Sequence, residues 1–439
     1  MERSETTTGS KPAFVEHELR AAVLAELHAR PFTPIETPKR ILHFGFVTGR
    51  SEAEADRVAL KGLCTQRGMK VPAGDARHHR CSYDGITLRW ESHAEFSTYT
   101  WELAAKPAAK PFDPPTKAGA TPMADVPQPG PLLVAIDLHL VGADAKAAPE
   151  ALFDRASLAR AEVMEGAAEI ATDFRVDDAG FVRVLVINRE LDNESAGALV
   201  QRVLEIETYR TLALLGLPAA HKLAPIVNRI EKELTNLTGQ MRKSGELDLN
   251  QKLLVSLTDY AAELEAGAAA ALFRFGASRA YDEIVHARLR AVGERGVRNY
   301  PSWSQFLMRR MAPAMRTCIG TEERQANLSR KLARAAQLLR TRVDIALEQQ
   351  NRNLLEAMNR RARLQLRLQQ TFEGLSVAAI SYYTVGLINY LLKGAYDAGI
   401  PVDPTIGTAV SVPVVVIGVA LIVRRIRRRY GTRGGDADE

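Results

Sequence analysis

The sequence predicts an α+β domain followed by a helical region, a long stalk helix and a C-terminal two-helix transmembrane hairpin. Three observations carry that prediction. Strand-like runs rich in β-branched and aromatic residues are confined to residues 1–194. Residues 321–373 contain neither Gly nor Pro. Two apolar stretches without a charge, 375–392 and 406–423, follow. Among 439 residues, 46% are hydrophobic and 25% are charged, which excludes both global disorder and a protein that is mostly membrane. The three cysteines, Cys64, Cys81 and Cys318, are an odd set far apart in sequence. They imply a reducing compartment rather than a disulfide scaffold.

The N-terminal stretch has no apolar core of a secretory signal, so none is expected. Residues 14–28 read as a helix, 41–48 as a strand and 52–67 as an amphipathic helix. Residues 86–91 and 94–103 are strand-like, and the Pro-rich segment 104–131 is a loop. Strands follow at 132–141, 162–174 and 181–188, the last two joined by the turn Asp177-Asp178-Ala179-Gly180. A largely antiparallel sheet is therefore expected. Helices are expected at 196–215, 225–240, 251–273, 278–293 and 302–310, which makes 195–320 a helical region.

The stalk, 321–373, places Leu328, Leu332, Ala335, Leu339, Val343, Ala346, Leu354 and Met358 at spacings dominated by three and four. That coiled-coil-like pattern calls for a partner helix or another subunit. Gly374 separates it from the membrane segment 374–424, whose spans are 375–392 and 406–423. Arg360, Arg361, Arg363 and Arg367 precede the hairpin, and the basic tail 425–439 follows it. The connecting loop sets Lys393 against Asp397 and Asp403, so the positive-inside rule predicts both termini in the cytoplasm. The net charge of +6 is thereby a topology signal, and no nucleic acid is expected as a partner.

In the first span Tyr382, Gly386, Asn389 and Lys393 fall on one helical face. Polar groups there must meet other helices or a water-filled path, so they are the pore-lining candidates. Glu91, His93 and Glu95 alternate along an expected strand and form a candidate divalent-cation site. His78-His79-Arg80-Cys81 carries metal-ligand types without a second ligand pair nearby in sequence. Arg30, Glu205, Glu207 and Arg210 are candidates for a structural ion-pair network. No phosphate loop, GxSxG or HExxH occurs in a fitting context, so no enzyme and no resident cofactor are expected.

Six runs resemble a bacterial family of uncharacterised membrane-anchored proteins, the domain of unknown function 3422 family. They are LHARPF (27–32), WESHAEFSTYTWE (90–102), TDFR (172–175), EIETYRTLALLGLP (205–218), TRVDIALEQQN (341–351) and LQQTFEGLSVAAISYYTVGL (368–387). The order of parts is also similar to CorA-type magnesium channels, which implies a homopentamer in the inner membrane with the first span lining a pore. Their Gly-Met-Asn signature is absent; Gly386-Leu387-Ile388-Asn389 is the nearest counterpart. The leading expectation is an inner-membrane homo-oligomer of CorA-like layout, a candidate cation channel or transporter. The competing class is a non-conducting membrane-anchored scaffold or sensor with a cytoplasmic interaction domain.

Overall fold

The computed structural model describes residues 14, 16–20, 23–24, 32–74, 76–105, 110–113, 117, 121–145, 147–243, 245–401 and 403–431. The helix expected at 14–28 therefore lies mostly outside the described residues. Two compact units are present: residues 1–242 with 255–336, and residues 243–254 with 337–439.

The first unit is built on a nine-stranded sheet. Its strands are β1 (Lys39–Val47), β2 (His78–Tyr83), β3 (Ile86–Ser92), β4 (Phe96–Ala104), β5 (Leu132–Gly142), β6 (Ala159–Val163), β7 (Ala168–Thr172), β8 (Val182–Asn188) and β9 (Arg295–Gly296). Their order is β2-β3-β4-β1-β5-β8-β7-β6-β9. Every pairing is antiparallel except β5 with β8, where Ile136 lies beside Val182. The expected strand over 162–174 is two strands, because Met164 and Glu165 adopt positive φ and Gly166 completes a tight reversal. The edge strand β2 is short and alternates buried His79 and Cys81 with exposed His78 and Arg80, so its sequence shows no strong apolar run.

Side-chain alternation divides the sheet into two faces. Leu42, Phe44, Leu88, Trp90, Tyr99 and Trp101 pack on one face with Leu60, Leu63 and Cys64 of α1 (Arg50–Gln66). On the other face Ile41, Ile136, Leu138, Val184 and Val186 pack against Leu199, Val203 and Ile206 of α2 (Asn193–Leu214). Asp192 caps α2, its carboxylate accepting from the Ser195 amide at 2.7 Å. Gly197 lets the 33–35 segment cross α2 closely: a Cβ there would lie 1.9 Å from the Thr33 carbonyl oxygen.

Four further long helices are present among the described residues, and three of them run past breakers in the sequence. They are α3 (Gly216–Lys243), α4 (Leu247–Val292), α5 (Trp303–Asp397) and α6 (Pro404–Gly431). Gly216 opens α3 after a single turn residue, Leu215, and Pro225 sits inside it. The helices expected at 251–273 and 278–293 are one, α4. The expected helix at 302–310, the stalk and the first span are likewise one helix of 95 residues, α5, with Pro313 inside. Trp303, Phe306, Met311 and Met315 are all buried in the core around that proline. Such packing outweighs the roughly 3 kcal/mol cost of an interior proline. Of the stalk's apolar positions, Leu328, Leu332, Ala335, Leu339 and Val343 are buried, whereas Leu354 and Met358 stand exposed.

In the second unit, α5 and α6 each contain a stretch long and apolar enough, by length and composition, to cross a membrane. Gly399 at positive φ and the sequence Pro401–Pro404 make the turn between them.

Candidate functional site

The first-span candidates do not share one environment. Asn389 turns toward α6 within the chain: its side-chain amide is hydrogen-bonded with Thr408 Oγ1 at 3.1 Å. Thr408 also contacts the Pro404 carbonyl at 2.6 Å. Close by, Gly407 leaves room for Leu392, whose Cδ1 would sit 2.9 Å from a Cβ on the glycine. Gly386 is half-buried, while Tyr382 and Lys393 are exposed. Two neighbouring aromatic side chains, Tyr383 and Tyr390, are exposed as well.

The Glu91, His93 and Glu95 set is separated by the turn between β3 and β4. The strand ends at Ser92, so His93 and Glu95 are turn residues rather than members of an alternating face. His93 stays near Glu91, with Nε2 3.8 Å from the carboxylate, and stacks on Phe96 at 4.1 Å. Glu95 is taken up elsewhere. Its carboxylate is held bidentately by Arg274 and receives the Tyr281 hydroxyl, both groups from α4. A carboxylate neutralised by a guanidinium is a poor metal ligand, so the set of three does not act as one site.

Glu91 and His93 instead join a polar seam between the sheet and α2. Around a cavity of about 30 Å³ lie His43, Arg89, Thr98, Gln201, Glu205 and Thr208. His43 is buried between two hydroxyls, Thr100 at 2.8 Å from Nδ1 and Thr208 at 3.1 Å from Nε2. Thr208 donates its own proton to the Leu204 carbonyl at 2.8 Å. It must therefore accept from His43, which fixes the proton on Nε2 and leaves Nδ1 to accept from Thr100. Burial, with the nearby Arg89 charge second, pushes the His43 pKa down to about 3. This imidazole is neutral and fully employed, and the seam has room for about one water.

The seam continues as a relay of hydrogen bonds. Arg89 donates to Gln201 at 3.0 Å, Gln201 donates to Glu205 at 3.0 Å, and Glu205 accepts from Arg288 of α4. Glu207, almost wholly buried, is paired with Arg210 one turn later. The expected ion-pair network thus exists as two separate pairs, Glu205 with Arg288 and Glu207 with Arg210. Arg30 lies outside the described residues.

A cleft of about 470 Å³ lies in the first unit, where two of the distinctive sequence runs meet. From 172–175 come Asp173, Phe174 and Arg175; from α2 come Arg210 and Leu214; from α5 come Phe306, Leu307, Arg310 and Met311. Phe174, held at φ +56°, stacks on Phe306 at 4.8 Å and lies 5.0 Å beneath the Arg210 guanidinium. Asp173 is buried and fixes the loop by accepting from the amides of Asp154 and Arg175, each at 3.0 Å. Arg310 lies over Phe306 at 4.6 Å, and Arg175 pairs with Asp154 at the mouth. Aromatic floor, guanidinium walls and rigid loop make a cleft of small-molecule size. Asp154 and Arg310 lie in no run that sequence reading singled out; only the fold gathers them beside Arg175 of the 172–175 run.

The family comparison agrees with the resemblance to the domain of unknown function 3422 family, and nothing found bears on the CorA-like layout. No curated protein and no solved structure matches the chain. A family model described as "Protein of unknown function (DUF3422)" matches residues 15–430, nearly the whole chain, and the protein therefore belongs to the DUF3422 family.

Proposed function

We propose that the protein is a membrane-anchored sensor or scaffold of the bacterial inner membrane. The hairpin holds a cytoplasmic body at the bilayer, and the 470 Å³ cleft of that body takes an anionic small ligand. The Asn389–Thr408 hydrogen bond carries the reading. In hydrocarbon an amide needs a partner, and this one finds it within its own hairpin instead of facing a conduction path. Arg360, Arg361, Arg363 and Arg367 before the hairpin, and Arg424 and Arg425 after it, support a topology with both termini cytoplasmic. The exposed Leu354 and Met358 support self-association through α5. Arg310 at the cleft wall, beside Arg175 and Arg210 that already pair with Asp154 and Glu207, suits a carboxylate or phosphate on its ligand.

The CorA-like channel is the second reading, favoured by the exposed Tyr382 and Lys393 on the first span. Cation flux through purified protein in liposomes separates the two. Flux no greater than in protein-free vesicles, for mono- and divalent cations alike, is the expected result. Cation-selective flux altered by Asn389→Leu would reject the anchor reading in favour of a pore.

A further inference from the structure

We propose that Cys64, His79 and Cys81 form a binding site for a zinc ion, independent of the cleft and of the hairpin. The three residues come from two elements. Cys64 lies in the last turn of α1, while His79 and Cys81 stand two apart on β2, on the face that α1 covers. One ligand atom from each lies within 4.8 Å of the other two. Zinc–sulfur bonds of ~2.3 Å and zinc–nitrogen bonds of ~2.0–2.1 Å in tetrahedral geometry require ligand separations of about 3.6–3.8 Å. Side-chain movements of about 1 Å close that gap, which is within the freedom of three short side chains.

The surroundings select the same ion. His79 Nε2 lies 2.7 Å from the Lys70 carbonyl oxygen. A carbonyl only accepts, so Nε2 carries the proton and Nδ1 keeps the lone pair that a metal needs. A backbone carbonyl on the outer nitrogen is the usual orienting partner of a metal-binding imidazole. All three residues are at least nine-tenths buried, Cys64 completely, among apolar side chains such as Leu63, Met69 and Leu88. Two thiolates, one neutral imidazole and Zn²⁺ sum to zero charge, the least costly state to bury there; Cu⁺ would leave a net negative charge. Loading releases two thiol protons to solvent and involves no electron transfer. The donor set leaves one coordination position open, as three-ligand zinc sites do. Access comes from the sheet edge, because β2 pairs only with β3.

Full-length protein in detergent, stripped with a chelator and reloaded, tests the site. Co²⁺ as a spectroscopic stand-in should give a sulfur-to-cobalt charge-transfer band that zinc displaces. Native mass spectrometry should find about one zinc per chain in the wild type and in Cys318→Ser, with affinity at least ~10-fold weaker in Cys64→Ser, Cys81→Ser and His79→Gln. If those variants fail to fold, the wild type alone decides: a thiol-specific mercurial should release the zinc as two thiols are modified. A missing charge-transfer band would overturn the proposal. So would zinc retained by the Cys64→Ser/Cys81→Ser protein, or a Cys64–Cys81 disulfide in protein purified without reductant.

Discussion

Asp56 offers the sharpest test of how the sheet is held. It lies on α1 facing the sheet and is 2% exposed. One carboxylate oxygen accepts from Trp90 Nε1 at 2.8 Å, and the other accepts from the Tyr99 hydroxyl. Trp90 and Tyr99 are completely buried, so neither donor can turn to water when the carboxylate is removed. Leaving a buried donor without a partner costs about 1–3 kcal/mol. Asp56→Ala should therefore destabilise the first unit by about 2–6 kcal/mol, a fall of roughly 4–24 °C in unfolding midpoint at about 2–4 °C per kcal/mol. Asp56→Asn keeps one acceptor and should lose about half as much. Thermal unfolding followed by tryptophan fluorescence reads both. A double-mutant cycle with Trp90→Phe should show coupling of at least about 0.5 kcal/mol. An Asp56→Ala protein that melts within 2 °C of wild type, with no coupling to Trp90, would refute the reasoning.

Four further outcomes are expected. His43 has a folded pKa near 3, below its unfolded value, so it contributes stability at neutral pH that is lost as pH falls from about 6.5 toward 3. By pH 5 the loss is about 2 kcal/mol, and His43→Gln should flatten that part of the stability–pH curve in denaturant titrations. Gly197→Ala should cost about 1–3 kcal/mol or more, because its Cβ would meet the Thr33 backbone. Gly239→Ala, in open space on α3, should stabilise by roughly 0.5–1 kcal/mol in the same urea assay. Leu354→Glu with Met358→Glu should shift the detergent-solubilised protein from oligomer to monomer in light scattering, with the unfolding midpoint of the first unit unchanged; an unshifted mass would remove α5 from the interface.

Much of the fold was legible because its periodicities are local. Residues 132–141 and 181–188 read as strands because near-continuous apolar runs suit a sheet covered on both faces. The stalk was visible from its missing glycines and prolines. What misled was punctuation. Gly276 and Pro313 signal helix ends in isolation, yet tertiary burial or plain continuity carries helices through them, whereas the helix expected at 196–215 does end before Gly216 and the stalk runs on through Gly374. The β2 strand was missed because its buried side chains are a histidine and a cysteine rather than valines. The same oversight hid the link between Cys64 and Cys81, which are distant in sequence and adjacent only when α1 folds onto β2. Glu95 was placed in a metal set from alternation alone, and no local pattern announces Arg274, 179 residues away, as its partner.

The position of β8 has a consequence for how the body opens. In space it sits between β5, its parallel neighbour, and β7, its antiparallel one, so it is the only strand joining the half-sheet β2-β3-β4-β1-β5 to the half-sheet β7-β6-β9. Its Val184 and Val186 belong to the core under α2, while Leu185 belongs to a third core with Phe112 and Phe153 on the opposite face. Neither half can slide or fray past it without breaking both ladders and both cores together. The amides of β8 should therefore be the last in the sheet to exchange with deuterium, and their exchange free energy should equal that of complete unfolding of the unit. Strand β8 acts as the keystone of the sheet, and a hydrogen-exchange map should show it as the slowest band running through the middle of the body.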